Sequence, residues 1–515
     1  LNDQSALDFF DDRIFVNIHQ FYGIEINDFA ATVAKTALWI AESQMVNETA
    51  KILAREMDQL PLKTYENIIE GNALTLDWNT VCPASQLSYI IGNPPFIGAR
   101  LMTQEQKNDM LQVFGKNWKN VGNIDYVAGW YLKSAQMMML NSAIRASLVS
   151  TNSITQGEQV VAIWKPLFEQ YGIHFDFAYR TFRWDSEASI KAHVHCVIIG
   201  FSISHNGKRI IYLSDNQYLE AKNINGYLID GDNIFVENYS QPICKDAPKA
   251  RSGNKPIDDG NYLFTVVEKE EFIKLEPESE KYFRPWIGSY EFINKVPRYC
   301  LWLGDCSPAQ LRQMPECLKR VENVRNFRLA SKRISTQKMA DSPTHFQTEN
   351  MPNGDSIIIP KVSSEHRRYI PMGIIGKESF ASDLVFLVPN ATLYHFGILE
   401  SNVHMAWMRA VCGRLEMRYR YSKDIVYNNF PWPTPTEQQK QKIEQTAQAI
   451  LEARALYPDS SLADLYDDLT MPVELRKAHQ NNDRAVMQAY GFDVKTMTES
   501  LCVAELFKLY KELTE

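Results

Sequence analysis

Along residues 90–213, apolar residues recur at helical spacing in some segments and form short continuous or alternating runs typical of strands in others. Residues 124–140 carry apolar side chains at helical spacing, among them Val127, Tyr131 and Ala135. We predict helices at 104–114, capped by Thr103, at 124–140 and at 158–171, and strands at 146–150, 174–179, 194–201 and 210–213. This alternation is typical of a largely parallel α/β sheet, which 194–201 and 210–213 would close as an antiparallel pair.

Composition changes at residues 241–265, where lysine, proline, glycine and aspartate are concentrated in a mixture typical of a linker. From 266 to 435, alternating segments such as 299–303, 356–360 and 384–388 predict a mixed domain with β structure. Residues 437–455 are rich in helix formers. We therefore expect an α/β domain at 1–240, a linker at 241–265, a mixed domain at 266–435 and a helical segment at 436–515.

The overall composition is that of a globular protein. Of the 515 residues, 45% are hydrophobic and 23% are charged. No run of about 18 apolar residues occurs, so we expect no membrane span. The eight cysteines are scattered without a CxxC pair, which favours reduced thiols, a cytoplasmic location and no bound metal.

The sequence Asn93-Pro94-Pro95-Phe96 follows the apolar run 90–92. The Asn93 side-chain oxygen and the Pro94 carbonyl can both accept hydrogen bonds from an exocyclic amine. The two prolines fix φ and lack N–H groups, so the turn is stiff. Phe96 supplies a flat face for stacking, of the kind used for flipped-out bases. The alternative is a strand that simply ends in a Pro-Pro turn.

Three stretches in one order resemble the adenine-N6 DNA methyltransferases that use S-adenosyl-L-methionine, most closely the large bacterial type IIL, MmeI-like, restriction–modification group. They are 21–34 (FYGIEINDFAATVA), 71–74 (GNAL) and 93–96 (NPPF). The resemblance covers residues 20–205 closely and 280–435 more loosely. It implies a Rossmann-like class I methyltransferase domain, truncated at its N-terminus, then a mixed α/β DNA target-recognition domain and C-terminal helices.

The resemblance also implies roles around the target base. The residues Asn93, Pro94, Pro95 and Phe96 become the catalytic turn, which binds the amino group and one face of the adenine. Aromatic residues near 179–184 stand where the family stacks a ring on the other face of the base. Phe182 is the first choice for that role, and Trp184 is the second. The alternative is that these rings only pack on the neighbouring strands.

Further residues are implied for the cofactor. Glu25, followed by Ile26, ends a strand where an acid can bind both ribose hydroxyls. Asn72 and Ala73 lie in the loop that surrounds the cofactor's adenine. Most relatives have Asp at position 72, but the asparagine oxygen can accept the same hydrogen bond. Asn93 borders the cofactor as well as the target base.

Relatives place a glycine-rich loop before the strand that ends in the acid, because the backbone must approach the cofactor closely there. Only residues 1–24 precede Glu25, and they contain no such loop. We therefore expect a fragment or processed form with reduced cofactor affinity. Its expected partner is the missing N-terminal region of the same polypeptide, which is a nuclease domain in bifunctional relatives.

The net charge of −8 does not favour DNA binding, but local clustering decides that question. Basic residues cluster at 319–338, 361–368 and 414–423, the last interleaved with Tyr419 and Tyr421. One such cluster is typical of a solvated surface, whereas three favour contact with phosphates and base edges. The residues that we expect to bind double-stranded DNA are Lys191, Arg325, Arg328, Lys332, Arg333, Lys338, Arg367, Arg368, Arg414, Arg418 and Arg420.

Together these features predict a site-specific DNA methyltransferase that extrudes one adenine from the duplex and methylates its N6. Two alternatives stay open. One is a DNA-recognition fragment that is inactive without its missing N-terminal part. The other is methylation of protein glutamine, whose amide nitrogen suits the same turn, although those enzymes are short, carry Tyr after the prolines and lack a large basic domain.

Overall fold

The computed structural model describes residues 16–53, 67–185, 193–204, 207–351 and 353–515. The chain divides into two compact units. The first comprises residues up to 155 together with 159–228, and the second comprises 156–158 together with 229–515. One predicted site residue, Lys191, lies outside the described residues.

The first unit alternates strands with helices, as predicted. Its elements are β1 (Gly23–Glu25), α1 (Asp28–Leu53), β2 (Ile68–Glu70), α2 (Trp78–Val81), β3 (Tyr89–Gly92), α3 (Gln104–Phe114), α4 (Ala128–Leu140), β4 (Arg145–Thr151), α5 (Gly157–Tyr171), β5 (His174–Asp185), β6 (His193–Ser202), β7 (Arg209–Ser214) and β8 (Gln217–Ala221). Strands β1 and β2 form a parallel pair. The other strands form one sheet in the order β3-β4-β6-β5-β7-β8. The predicted α/β fold class is confirmed.

Local sequence signals set the beginning of α3, and longer-range contacts set that of α4. Thr103 accepts a hydrogen bond from the Gln106 N–H, while the Gln106 side chain accepts one from the Thr103 N–H, which is a capping box. The apolar period predicts a helix from 124, but α4 begins at Ala128. The backbone N–H groups of Asp125 and Tyr126 are instead bonded to other segments of the chain.

Large aromatic side chains form the core between α4, α5 and the six-stranded sheet. The ring of Trp164 makes edge contacts with Tyr131 and Phe175, with centroids 5.0 and 4.7 Å away. Its indole N–H donates to the Ile154 carbonyl at 2.7 Å, and the Tyr131 hydroxyl shares a 2.7 Å hydrogen bond with Ser150 on β4. The buried polar groups of these rings are therefore satisfied, and α4 is fixed against β4.

Two strands differ from the prediction. β5 runs to Asp185 rather than 179, because a bulge between Tyr179 and Phe182 interrupts the alternation without ending the strand. The predicted antiparallel pairing of 194–201 with 210–213 is wrong. β6 is antiparallel to β4 and β5, and β7 pairs with β5 in parallel. A strand's own residue pattern indicates which face is buried, but it does not identify the neighbouring strand.

The second unit contains small sheets followed by helices. Its elements are β9 (Arg251–Ser252), β10 (Leu263–Phe264), α6 (Val266–Leu275), β11 (Phe283–Ile287), α7 (Ser289–Asn294), β12 (Tyr299–Leu301), α8 (Pro308–Arg312), α9 (Pro315–Leu329), α10 (Ile334–Lys338), β13 (Ser356–Pro360), β14 (Val362–Ser363), β15 (Gly373–Ile375), β16 (Phe380–Ala381), β17 (Val385–Pro389), α11 (Leu393–Leu399), α12 (Asn402–Val411), β18 (Gly413–Leu415), β19 (Arg418–Arg420), α13 (Glu437–Ala455), α14 (Leu462–Leu465), α15 (Val473–Ala489) and α16 (Glu499–Thr514). The strand orders are β10-β12-β11-β16, β15-β13-β17-β9 and β14-β19-β18.

The segment predicted as a linker, 241–265, is instead folded into the second unit. Its strand β9 pairs with β17, and Asn254 and Tyr262 are fully buried. The Asn254 side chain donates to the Ala381 carbonyl at 2.9 Å and accepts from the Asn350 N–H at 2.7 Å. The glycines and prolines of this segment therefore belong to a packed domain, although its composition alone is also typical of a flexible connection.

Buried polar contacts join the C-terminal helices to the mixed domain. The Asp483 carboxylate on α15 accepts hydrogen bonds from the Tyr369 hydroxyl and the Asn402 N–H, each at 2.7 Å. Arg454 on α13 forms a 2.7 Å ion pair with Glu400, whose pKa is raised by complete burial. The helices at 436–515 are therefore an integral part of the second unit.

Candidate active site

The Asn-Pro-Pro-Phe turn begins at the carboxyl end of β3, an edge strand of the described six-stranded sheet. Asn93 is exposed, Pro94 is buried and Phe96 is half-buried. The Pro95 carbonyl accepts a hydrogen bond from the Ile97 N–H at 3.1 Å, which folds the chain back tightly. Within the described part of the chain, no hydrogen bond occupies the Asn93 carboxamide. Its oxygen is therefore accessible to an amino group of a ligand.

Residues just after the turn are held by the segment that precedes α4. The Ile97 carbonyl accepts a hydrogen bond from the Tyr126 N–H at 2.9 Å. The Ala99 N–H donates to the Asp125 carboxylate at 2.8 Å, and the second oxygen of Asp125 accepts from the Ser153 hydroxyl. Asp125 is only 7% exposed, so these donors compensate for the removal of its charge from water. The turn is thus constrained by its prolines and, beyond them, by a buried carboxylate.

The register of the sheet places Phe182 at the same end of the strands as the turn. β3 ends beside Leu148 of β4, so the chain beyond it continues toward the level of Thr151. Thr151 pairs with Cys196 of β6, which pairs in turn with Phe182 of β5. Strands β3 and β5 are three inter-strand spacings apart, or about 14 Å. The turn and Phe182 therefore lie at the same end of the sheet, on either side of β4 and β6.

The two predicted stacking residues differ in exposure. Phe182 is half-buried, whereas Trp184 is 48% exposed. The Phe182 ring centroid lies 6.4 Å from that of Tyr179 and 6.3 Å from that of Trp184. These contacts hold the Phe182 ring in place, which suits a stacking platform but also suits simple packing on the strands.

The residues predicted to bind the cofactor ribose end the strand pair β1–β2. Glu25 is half-buried, and its carboxylate accepts one long hydrogen bond from the Asn27 N–H, at 3.3 Å. Ile26 beside it is 69% exposed. A carboxylate has about four acceptor sites, so Glu25 retains the capacity to accept from two hydroxyl groups and fits the predicted role.

Asn72 follows β2, and its side chain is bonded at both ends. Its oxygen accepts from the Leu74 N–H and its nitrogen donates to the Asp109 carboxylate on α3, both at 2.9 Å. The same Asp109 oxygen accepts from the Tyr126 hydroxyl at 2.8 Å, and burial together with Asp109 raises the pKa of that tyrosine. The Ala73 carbonyl accepts from an indole N–H at 2.7 Å. One lone pair of the Asn72 oxygen still fits an adenine amino group.

The structure brings Asp109, Asp125 and Tyr126 to the site, although sequence patterns did not single them out. One signal could have identified Asp125. It stands between apolar residues in a segment whose flanks at 124 and 127 are fully buried. An acid at such a position requires specific partners, because Asp is almost never fully buried without them.

The first basic cluster lies on α9, α10 and the turn between them. The side chains of Arg325, Lys332, Arg333 and Lys338 are exposed, so they remain candidates for contact with DNA. The prediction of DNA contact is wrong for Arg328, which is fully buried. Each of its five N–H donors is used inside the protein, at 2.8–3.1 Å, by the carbonyls of Pro256, Ile257, Met339, Ser342 and His345.

The small sheet β14-β19-β18 brings the second and third basic clusters together. On β19, Arg418 and Arg420 are exposed and the intervening Tyr419 is buried. The Arg414 guanidinium lies over the Tyr419 ring, 4.5 Å from its centroid, which holds that cation on the sheet. The predicted DNA-binding residues that are at least partly exposed in this region are Arg367, Arg368, Arg414, Arg418 and Arg420.

The eight cysteines are free thiols. In the ranges that the structure describes, no group of His, Cys, Asp and Glu side chains is arranged to hold a metal ion. Nor does any helix in those ranges have the length and apolar character needed to cross a membrane.

Comparison with known proteins gives consistent matches over nearly the whole chain. Family models of MmeI match in three consecutive ranges: the DNA-methyltransferase domain at 3–213, the target recognition domain at 230–434 and the C-terminal domain at 435–515. DNA methyltransferase A of Bacillus subtilis (strain 168) is 40% identical over 504 residues, which are 97% of this chain but 56% of that protein. The chain thus spans little more than half the length of this curated relative.

A solved structure extends the likeness to the fold. The type IIL restriction-modification enzyme MmeI in complex with DNA is 46% identical to this chain, with a TM-score of 0.89 over 98% of this chain and 67% of that one. The resemblance inferred from the three sequence stretches is confirmed. The chain belongs to the MmeI family of type IIL restriction–modification enzymes and contains the family's methyltransferase, target recognition and C-terminal domains.

Proposed function

We propose that this chain is the DNA-modifying part of a restriction–modification protein. It transfers a methyl group from S-adenosyl-L-methionine to N6 of an adenine that has been extruded from duplex DNA. The observation that carries the proposal is the Asn93 carboxamide. It is exposed and without a hydrogen bond in the described structure, and it begins a turn held by two prolines and by Asp125.

The turn's acceptors define the chemistry. The Asn93 oxygen and the Pro94 carbonyl accept hydrogen bonds from the two N–H groups of the adenine amine, which aims its nitrogen at the methyl donor. S-adenosyl-L-methionine, when bound, supplies an electrophilic methyl group on a sulfonium. Both acceptors stabilise the positive charge that develops on the nitrogen. The amine is neutral and attacks the methyl carbon without prior deprotonation. The bond between that carbon and sulfur would break, with its electron pair left on sulfur as a neutral thioether, and the excess proton on nitrogen would pass to water after the transfer.

Other residues of the first unit would hold the two ligands. The Glu25 carboxylate accepts from the ribose hydroxyls of the cofactor, and the Asn72 oxygen accepts from its adenine amine. Phe96 and Phe182 stack on the two faces of the target base, which compensates for part of the stacking lost from the duplex. Both rings are half-buried and lie at the same end of the sheet, which supports a stacking role for each of them.

DNA binding would fall to the second unit. Exposed arginines on β19 and the exposed basic residues of α9 and α10 supply phosphate contacts, while polar side chains among them read base edges. The related MmeI structure is a complex with DNA, which supports DNA as the partner of this chain.

A second candidate is a recognition module that methylates only together with the rest of its polypeptide. Among the described strands, β1 pairs only with β2, and β3 pairs only with β4. Each therefore has one edge whose backbone groups face no partner strand among the described residues. In this second candidate, the cofactor site is completed by a segment from the rest of the polypeptide. That part of the polypeptide would also contain the nuclease domain that bifunctional relatives carry.

Methyl transfer from labelled cofactor to mixed-sequence DNA tests the proposal. The complete encoded polypeptide is compared with Asn93→Ala and with Asn481→Ala, an exposed asparagine of α15, and the DNA is digested to nucleosides. We expect N6-methyldeoxyadenosine from the wild type and Asn481→Ala, and a loss of about 100-fold or more for Asn93→Ala. Tight DNA binding without any methylated base in the wild type would refute the proposal. Activity of the complete polypeptide but not of residues 1–515 would favour the second candidate.

A further inference from the structure

We propose that Asp125 is a positioning residue for methyl transfer, which holds the catalytic turn in register with the segments that carry Ser153 and Asn72. The inference rests on the function proposed above and deepens it, because Asp125 lies outside the turn. Asp125 contacts neither the base nor the cofactor in this proposal. It acts through the backbone of residues 97–99.

Asp125 joins separate segments of the first unit through short polar contacts. One carboxylate oxygen accepts from the Ala99 N–H at 2.8 Å, and the other accepts from the Ser153 hydroxyl beyond β4. Its own backbone N–H donates to the Gln159 side chain on α5 at 3.1 Å. A buried carboxylate with two donors has one favourable geometry, so the segments that supply the donors are held in a defined relation.

The neighbouring Tyr126 extends this junction to the segment around Asn72. Its backbone N–H donates to the Ile97 carbonyl at 2.9 Å, so the turn is held from both Asp125 and Tyr126. Its hydroxyl donates to the Asp109 carboxylate, which also accepts from the Asn72 side chain. The turn predicted to bind the target amine and the loop predicted to bind the cofactor's adenine are therefore linked by consecutive residues.

Among the described hydrogen bonds, those with Asp125 and Tyr126 are the ones that join residues 97–99 to a distant segment of the chain. A Cβ built at Gly98 would lie 3.8 Å from the Asp125 carboxylate, so that carboxylate packs directly against the exit of the turn. The prolines stiffen residues 94 and 95 but do not fix where residues 97–99 lie. Without Asp125, that stretch keeps the Tyr126 contact and can pivot about it. A shift of about 1 Å in a reacting group costs about 100-fold in rate, so even a small pivot matters.

Three variants separate positioning from stability. Asp125→Ala removes both acceptor bonds, whereas Asp125→Asn keeps an oxygen for the Ala99 N–H and lets the Ser153 hydroxyl accept instead of donate. Asp176→Ala is the matched control. Asp176 is also buried and accepts from a serine hydroxyl, Ser202, at 2.9 Å. It lies at the opposite end of the sheet, because Ser202 pairs with Arg145 at the beginning of β4.

Amide hydrogen exchange on the complete polypeptide measures the positioning directly. We expect faster exchange in peptides covering 93–101 for Asp125→Ala, an intermediate rate for Asp125→Asn and wild-type rates for Asp176→Ala. Unchanged protection of 93–101 in a folded Asp125→Ala protein would overturn the inference, whatever the activity. If that protection is lost while the wild type itself methylates nothing, the proposed function fails and the structural role of Asp125 stands.

Kinetics with duplex DNA then link position to chemistry. For Asp125→Ala we expect kcat to fall by about 100-fold, with the KM for DNA within about threefold of wild type, and Asp125→Asn to recover most of the loss. A 2-aminopurine placed at the target position should still brighten on binding, because extrusion precedes the misaligned step. Equal losses of kcat in Asp125→Ala and Asp176→Ala would show a merely structural effect and contradict the proposal.

Discussion

Replacing Arg328 with methionine separates the structural arginine of α9 from its exposed neighbour Arg325. The substitution keeps an apolar stem of similar length but removes five N–H donors from a fully buried site. The acceptors that lose their donors are backbone carbonyls, which no side-chain change can remove. The substitution also leaves the buried Asp258 carboxylate without the nearby positive charge of Arg328.

The size of the effect follows from what is left unsatisfied. Burial lowers the pKa of Arg328, so the guanidinium is held against a desolvation penalty that methionine would relieve. Against this, a hydrogen bond to a charged group contributes about 1.5–3 kcal/mol, and each buried acceptor without a donor costs about 1–3 kcal/mol. Three of the five carbonyls, those of Pro256, Ile257 and His345, would keep no described donor, whereas those of Met339 and Ser342 still accept from the backbone N–H groups of Ser342 and His345. Three unsatisfied acceptors and five lost bonds to a charged group outweigh the relief, even though contributions within one network are not additive. We expect a loss of at least about 4 kcal/mol in unfolding free energy.

Urea denaturation followed by circular dichroism measures this loss, with Arg325→Met as the matched control on the same helix. Arg325 is exposed, so its replacement should change the unfolding free energy by less than about 0.5 kcal/mol while weakening DNA binding. For Arg328→Met, DNA affinity under conditions where the protein is still folded should stay near that of wild type. A loss below about 1 kcal/mol for Arg328→Met would refute the argument that these carbonyls depend on the guanidinium.

Two further predictions concern DNA binding and acid stability. Arg420→Ala should weaken binding to duplex DNA and reduce the slope of log Kd against log salt concentration by about 1. The control Lys442→Ala, on α13, should change neither. Equal slopes for Arg420→Ala and the wild type would exclude a phosphate contact at Arg420. Burial lowers the pKa of His404 from 6.5 to about 3, so between these pH values the unfolded chain binds a proton that the folded chain does not. Its share of the unfolding free energy should therefore fall by about 1.4 kcal/mol per pH unit on acidification through that window. In denaturation series, His404→Gln should show a shallower pH dependence than wild type, and identical slopes would contradict this.

Several features of the chain follow from residues that lie close together in sequence. The helix at 104–114 with its cap at Thr103, and the helix-forming composition of 437–455, correspond to helices with those bounds in the structure, because a helix depends on its own period and its first turn. The stiffness of the 93–96 turn is a property of its two prolines. The family, too, was identified from three short stretches, since each combines a local structure with a chemical group.

Tertiary structure decided the features that depend on distant segments. The neighbouring residues in sequence do not distinguish the buried Arg328 from the exposed Arg325. The carbonyls that accept from Arg328 come from 256–257 and 339–345, outside its own helix. The partner of β7 is β5 rather than β6, a choice made by packing across the sheet. The role of Asp125 depends on the fold, which brings the Ala99 N–H and the Ser153 hydroxyl to its carboxylate. The sequence by itself determined the elements and the chemistry of the turn. Burial and partner choice were decided by contacts between segments that are distant along the chain.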